Sequence, residues 1–236
     1  MTPLFFALLA AAGNIVGAGI LVRHERRSLA LIEGCIAFGA GFMLSAAVLE
    51  MLPEAIRAGG SAAALYVLAG YLGVHLAQHV LVPHFHFGEE THHVSARVGL
   101  SVLLGLLLHT LFDGVAIASG FAVSQSLGVL LFLAVFLHKL PEGLTMASVM
   151  LAGGQSRARA MGAAAALGAA TIAGVLLTQQ LAPLATHGLA LSAGVTLYVA
   201  ASNLVPEFQA KKGFALPAAF FGGVAIFAVT RHLIGG

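Results

Sequence analysis

Two histidines and two carboxylates, set at one repeated spacing, are the residues of this chain best suited to chemistry. The sequence HTLFDGVAIAS begins at His109, and HKLPEGLTMAS begins at His138. Each has a carboxylate four residues after its histidine, Asp113 and Glu142, and a glycine directly after that. In a helix, residues four apart lie one above the other on the same face. Two such helices packed face to face would aim two imidazoles and two carboxylates at one point. Such a donor set suits a divalent metal. Both stretches are apolar enough to lie in a bilayer, where an ionisable side chain costs about 2.5–3.5 kcal/mol on insertion scales. Two His-carboxylate pairs in successive spans therefore argue for a site rather than for stray polar residues.

The elements that position these groups follow from composition. Of 236 residues, 59% are hydrophobic and 8% are charged, against about 25% charged in soluble domains. The chain reads as an all-α polytopic membrane protein, one transmembrane domain over residues 1–236. A span needs about 20 mostly apolar residues. Windows of that length fall at 4–22, 30–52, 62–82, 98–122, 127–151, 161–180, 189–209 and 214–233. The apolar start lacks a basic flank, so no cleaved signal is expected. Cys35 is the single cysteine, so disulfides play no part, and the net charge of +2 does not imply nucleic acid.

Basic residues orient the spans. Arg23, Arg26, Arg27, Arg97, Arg157, Arg159, Lys211 and Lys212 fall on one side of an eight-span chain, with Arg57 and Arg231 on the other. The positive-inside rule then puts both termini outside the cytoplasm, in a cell inner membrane. A second internal echo links GFMLSAAVLEMLPE, from Gly41 to Glu54, with GVTLYVAASNLVPE, from Gly194 to Glu207. Spans two and seven run in opposite directions, as do spans four and five. Inverted repeats around a midplane site are a plan of secondary transporters.

Pro141 removes a helix hydrogen bond beside Glu142 and frees the carbonyl near Leu137. Gly114 and Gly143 suit close helix approach. Met43 in span two reads either as core or as a soft thioether donor. Lys139 follows His138 and turns about a quarter-turn from it. A protonated ammonium cannot ligate, and at about 4 Å and an effective dielectric near 20 it interacts with another unit charge by roughly 4 kcal/mol. It reads as excluding a second metal, and as a partner for Asp113, Glu142 or Glu50, or else as a lysine snorkelling to an interface.

The paired motifs, the eight spans and the Leu-Pro-Glu sequences at 52–54 and 140–142 together resemble the ZIP (Zrt/Irt-like) family of divalent-metal transporters. The resemblance implies that His109, Asp113, His138 and Glu142 are transport-site ligands, with Met43 at a position that supplies a further ligand in some members. It implies import of zinc, iron or similar metals into the cytoplasm by alternating access. The chain departs from the family pattern at Thr110, Lys139, Asn203 and Glu50. The first three belong to a second, adjoining metal site in members that have one, so a single metal is expected here.

Around this centre, the loop 83–97 contains His84, His86, His92 and His93 with Glu89 and Glu90. It reads either as a weak chelator of departing metal or as a solvated loop. His75 and His79 share a face of span three and serve either an exit route or packing. Glu54 and Glu207 each follow a proline and either draw cations in or end a helix at the interface. An intramembrane zinc hydrolase or protease is the rival function. It needs three protein ligands, an open position and a general base, and Lys139 stands where the base of an HExxH motif would be. The expected protein is thus no enzyme and needs no cofactor. Zn²⁺, Fe²⁺, Mn²⁺ or Cd²⁺ is its substrate, the lipid bilayer its solvent, and a homodimer is left open.

Overall fold

A computed structural model describes residues 2–23, 29–81, 96–209 and 211–235. Among these, eight helices are long and apolar enough to cross a membrane. Span one is Pro3–Arg23. Span two runs as Leu29–Ala46, a π-helical turn Ala47–Met51, and Leu52–Gly59. Span three is Ser61–Leu81, span four Ala96–Val123, span five Gln125–Ala152 and span six Arg157–Gln180. Span seven runs as Ala182–Tyr198 and then a π-helical turn, Val199–Leu204, before a short helix, Pro206–Gln209. Span eight is Ala215–Gly235. An uninterrupted helix satisfies its own backbone groups, which is why apolar segments of this length take that form in hydrocarbon. Serines cap two of them: Leu127 N–H donates to Ser124 Oγ at 3.1 Å and Arg159 N–H to Ser156 Oγ at 3.3 Å.

The spans differ from the windows read in the sequence in two instructive places. Span two does not stop at Pro53-Glu54 but continues to Gly59, and span seven begins at Ala182 rather than 189. Pro53 follows directly on the π turn, whose Leu52 N–H still reaches back to Ala47 O, and with no N–H of its own it cannot continue that ladder. Pro206 opens Pro206–Gln209. Pro-Glu therefore lies inside span two and opens a short helix after span seven, and ends a helix at neither place. Span five passes through Pro141 as one continuous helix.

Four helix pairs make the closest contacts: spans one with five, four with six, two with eight, and three with seven. Each joint is built from two glycines. A Cβ at Gly17 would overlap the Leu140 carbonyl oxygen, and one at Gly143 the Asn14 carbonyl oxygen. Between spans four and six the same holds for Gly114 against Thr171 and Gly174 against Leu111. Gly41 meets Phe220 and Gly223 meets Phe38; Gly70 meets Leu191 and Gly194 meets Val67. Small residues at both sides of a joint let backbones touch, and van der Waals packing then holds the helices together in lipid.

These joints carry the inverted repeat. Exchanging span one with six, two with seven, three with eight and four with five turns the one–five joint into the six–four joint. The same exchange turns two–eight into seven–three. Gly41 and Gly194 are equivalent in the sequence echo, as are Gly114 and Gly143 in the motifs. Both echoed segments also break into a π turn, and both turns end at the same place in the alignment, Met51 and Leu204. Single π turns recur at functional sites because they re-aim side chains inside a helix.

Candidate metal centre

The glycine joints bring the motif faces of spans four and five together deep in the bundle. His109, Asp113, His138 and Glu142 each offer a ligand atom, and these four atoms all lie within 4.8 Å of one another. All four side chains are buried. Asp113 Oδ2 is the hub. It lies 3.2 Å from His138 Nε2, 3.5 Å from His109 Nε2 and 2.6 Å from Lys139 Nζ. The two imidazole centroids are 5.4 Å apart.

The donors are oriented from behind. His138 Nδ1 lies 2.8 Å from the Ala134 carbonyl oxygen, which can only accept, so Nδ1 carries the proton. Its Nε2 then faces Asp113, in position to meet a cation. Fixing one ring nitrogen on a carbonyl to aim the other is the usual support for a metal-binding imidazole. Thr110 Oγ1 donates to Glu142 Oε1 at 2.6 Å, and Lys139 Nζ donates to Glu142 Oε2 at 2.6 Å. His109 Nδ1 is buried with no partner among the described residues, an open donor position at the site's edge.

Access to the cluster is one-sided. A cavity of about 50 Å³ touches His109, His138, Pro141 and Glu142 and is lined further by Cys35, Gln78, Leu106, Thr145, Val199 and Asn203. These residues lie on the side of the cluster facing the ends Arg23, Leu81, Ala152 and Leu204. On the opposite side, Phe42, Met51, Ala55, Ala63, Leu127, Leu131, Leu189 and Phe227 pack into one buried cluster. Beside the cluster on that side is a gap of about 10 Å³, lined by Met43, Met51, Asp113, His138 and Thr196 among others. Farther out, a cavity of about 130 Å³ is lined by Ala55, Ser119, Val123, His187 and Leu189 among others and touches none of the four donors. Arg23, Arg157, Arg159, Lys211 and Lys212 stand at the open end; Arg57 and Arg231 stand at the closed one.

The remaining sequence candidates divide. Met43 is buried and lines the same small gap as Asp113 and His138, and Asn203 lines the open cavity. Glu50 is drawn away from the cluster and pairs with Arg231 of span eight. Lys139 is fully buried and turned onto Asp113 and Glu142, so neither snorkelling nor pairing with Glu50 occurs. The i to i+3 step from Lys139 to Glu142 explains this, because residues three apart are neighbours on a helix surface. His75 sets its ring edge against Tyr198 at 5.6 Å, and Gln78, three residues on, is the span-three side chain that lines the cavity. The side chains of His79 and Glu207, and all of His84, His86, His92 and His93, lie outside the described residues. Glu54 pairs with Arg57 at 2.5 Å. Gln78, Thr145 and Asn14 were not singled out in the sequence; a polar residue mid-span was the available signal.

A family model described as ZIP Zinc transporter matches residues 86–231, which contain both motifs. The chain belongs to the ZIP family. Among its curated ZIP relatives, the zinc transporter ZupT of Enterobacter sp. (strain 638) is 31% identical, over 48% of this chain and 48% of that protein. ZupT of Shigella dysenteriae serotype 1 (strain Sd197) and ZupT of Escherichia coli (strain K12 / DH10B) are each 30% identical over the same shares. The chain thus matches these ZIP relatives across about half their length. Eight apolar helices and ZIP membership make it a multi-pass membrane protein.

Proposed function

We propose that the chain is a secondary transporter that carries divalent metal, zinc foremost, through His109, Asp113, His138 and Glu142, with Met43 as a further soft contact. One observation carries this reading: four buried donors from two helices converge within 4.8 Å, and three of them, His109, His138 and Glu142, line a cavity on one side of the cluster. Two imidazoles and two carboxylates suit Zn²⁺ and admit Fe²⁺, Mn²⁺ or Cd²⁺. The inverted glycine joints give alternating access a framework, since either end can open around a fixed centre.

The open end has most of the described Lys and Arg residues at or beyond the ends of the spans, which supports a cytoplasmic assignment and both termini outside, in the inner membrane. Transport then runs inward, and the present form is the one that releases metal. Residues 1–236 act as one transmembrane domain, with the loop 83–97 a weak chelator at the exit and His75 and His79 beside it. Lipid surrounds the spans. A second copy is the proposed protein partner, with spans three and eight, which expose Leu65, Leu68, Leu72, Leu76 and Leu233, as the faces it covers.

An intramembrane zinc hydrolase is disfavoured because Lys139, bound to two carboxylates, supplies no general base. The expected experiment is zinc uptake into proteoliposomes. His138→Ala and Glu142→Ala should each abolish saturable uptake while insertion and folding persist. Near-normal uptake in either variant would move the site elsewhere.

A further inference from the structure

The centre proposed for metal already holds a cation, and that cation belongs to the chain. Lys139 is 0% exposed, and its Nζ lies 2.6 Å from Asp113 Oδ2 and 2.6 Å from Glu142 Oε2. It takes one oxygen from each carboxylate of the cluster and ties span four to span five. A divalent ion on those same oxygens would meet the ammonium at contact distance, and like charges so close repel strongly in a buried site. The ammonium must then leave. A buried charge stripped of its partners is strongly destabilising, so it needs another acceptor.

One acceptor stands ready. Asn14 of span one is 0% exposed, and neither Nδ2 nor Oδ1 has a hydrogen-bond partner among the described residues. Its backbone packs on Gly143, and a Cβ at the preceding Gly13 would lie 3.0 Å from Lys139 Cβ. An unpaired amide therefore belongs to the residue next to the one that meets the lysine stem, although a buried polar group left unpaired is costly. At the equivalent place in the other joint, Thr171 satisfies its own hydroxyl by donating to Leu167 O at 3.5 Å.

We infer that metal binding is an exchange of cations: metal displaces the Lys139 ammonium from Asp113 and Glu142, and the Asn14 side-chain oxygen receives it. No proton or electron moves in this step. Lys139 thereby sets the site's affinity, and its return to the carboxylates expels the metal and leaves the empty carrier with a compensated centre. The inference rests on the metal-site reading above.

The test is zinc titration calorimetry on the purified full chain at fixed pH and salt. Lys139→Met should bind zinc at least about tenfold more tightly. Asn14→Leu should weaken binding several-fold in the otherwise unaltered chain and change nothing in the Lys139→Met background. Asp113→Asn serves as the control and should abolish binding. If Asp113→Asn binds like the unaltered chain, the metal-site reading falls and the exchange with it. If Asp113→Asn abolishes binding but Lys139→Met leaves it equal or weaker, the exchange alone is overturned. Equal effects of Asn14→Leu in both backgrounds overturn the role of Asn14. Because Lys139→Met leaves two carboxylates unpaired, a zinc-bound structure of the unaltered chain provides the second arm. Lys139 Nζ should have left both carboxylates, and zinc bound with both contacts intact would refute the exchange.

Discussion

The motif on span four and the motif on span five share one frame and differ in what that frame serves. Both place a carboxylate four residues after histidine and a glycine next, and both glycines seat a backbone: Thr171 on Gly114, Asn14 on Gly143. Thr110 and Lys139 hold the same position in the two copies, and both turn onto Glu142. Yet among the described residues Lys139 also reaches Asp113, and span one, packed against span five, contributes an amide with no partner. The scaffold is near-symmetric, while the charge that competes with metal sits on one side. A repeated frame thus sets where donors meet, and a single departure within it decides how the meeting point is used.

Breaking the shared frame should have the largest effect. Gly114→Val and Gly143→Val each push a side chain into a neighbouring backbone, and overpacking of this kind costs about 1–3 kcal/mol or more. Both variants should melt at lower temperature in detergent by comparable amounts. If Gly143→Val were tolerated while Gly114→Val unfolded the protein, the two joints would not be equivalent.

A smaller effect separates the two residues at the equivalent position. Thr110→Val removes one hydrogen bond to Glu142, worth about 1.5–3 kcal/mol when the acceptor is charged. Zinc binding should weaken several-fold, opposite in sign to Lys139→Met. Tighter binding by Thr110→Val would mean that the hydroxyl competes with metal rather than orienting its ligand.

The smallest effect belongs to the loop. Replacing His84, His86, His92 and His93 together by Ala should change uptake by less than about tenfold, under 1.4 kcal/mol of barrier. A larger loss would put the loop on the main route.

The His-x3-carboxylate pairs were legible in the sequence because helical periodicity alone puts i and i+4 on one face. The echo of spans two and seven was legible as well, down to Gly41 and Gly194, and the matching π turns give it a structural counterpart. The correspondence of spans one and six was not, because Asn14 and Gly17 match Thr171 and Gly174 in packing and hardly in letters. Glu50 and Arg231 are 181 residues apart, and no local pattern announces such a pair. For Lys139 the sequence leaves open both an adjoining site a quarter-turn from His138 and pairing with Asp113, Glu142 or Glu50, and the structure shows the pairing with Asp113 and Glu142. The lysine's long stem brings the ammonium back onto Glu142, and side-chain reach of that kind does not follow from Cα direction.

The central claim, that the four donors hold one metal, is tested most directly by anomalous scattering from zinc-soaked crystals. The account requires one strong peak among His109, Asp113, His138 and Glu142. No peak there would contradict it, as would two strong peaks about 3.5–4 Å apart between spans four and five, the separation of paired metals.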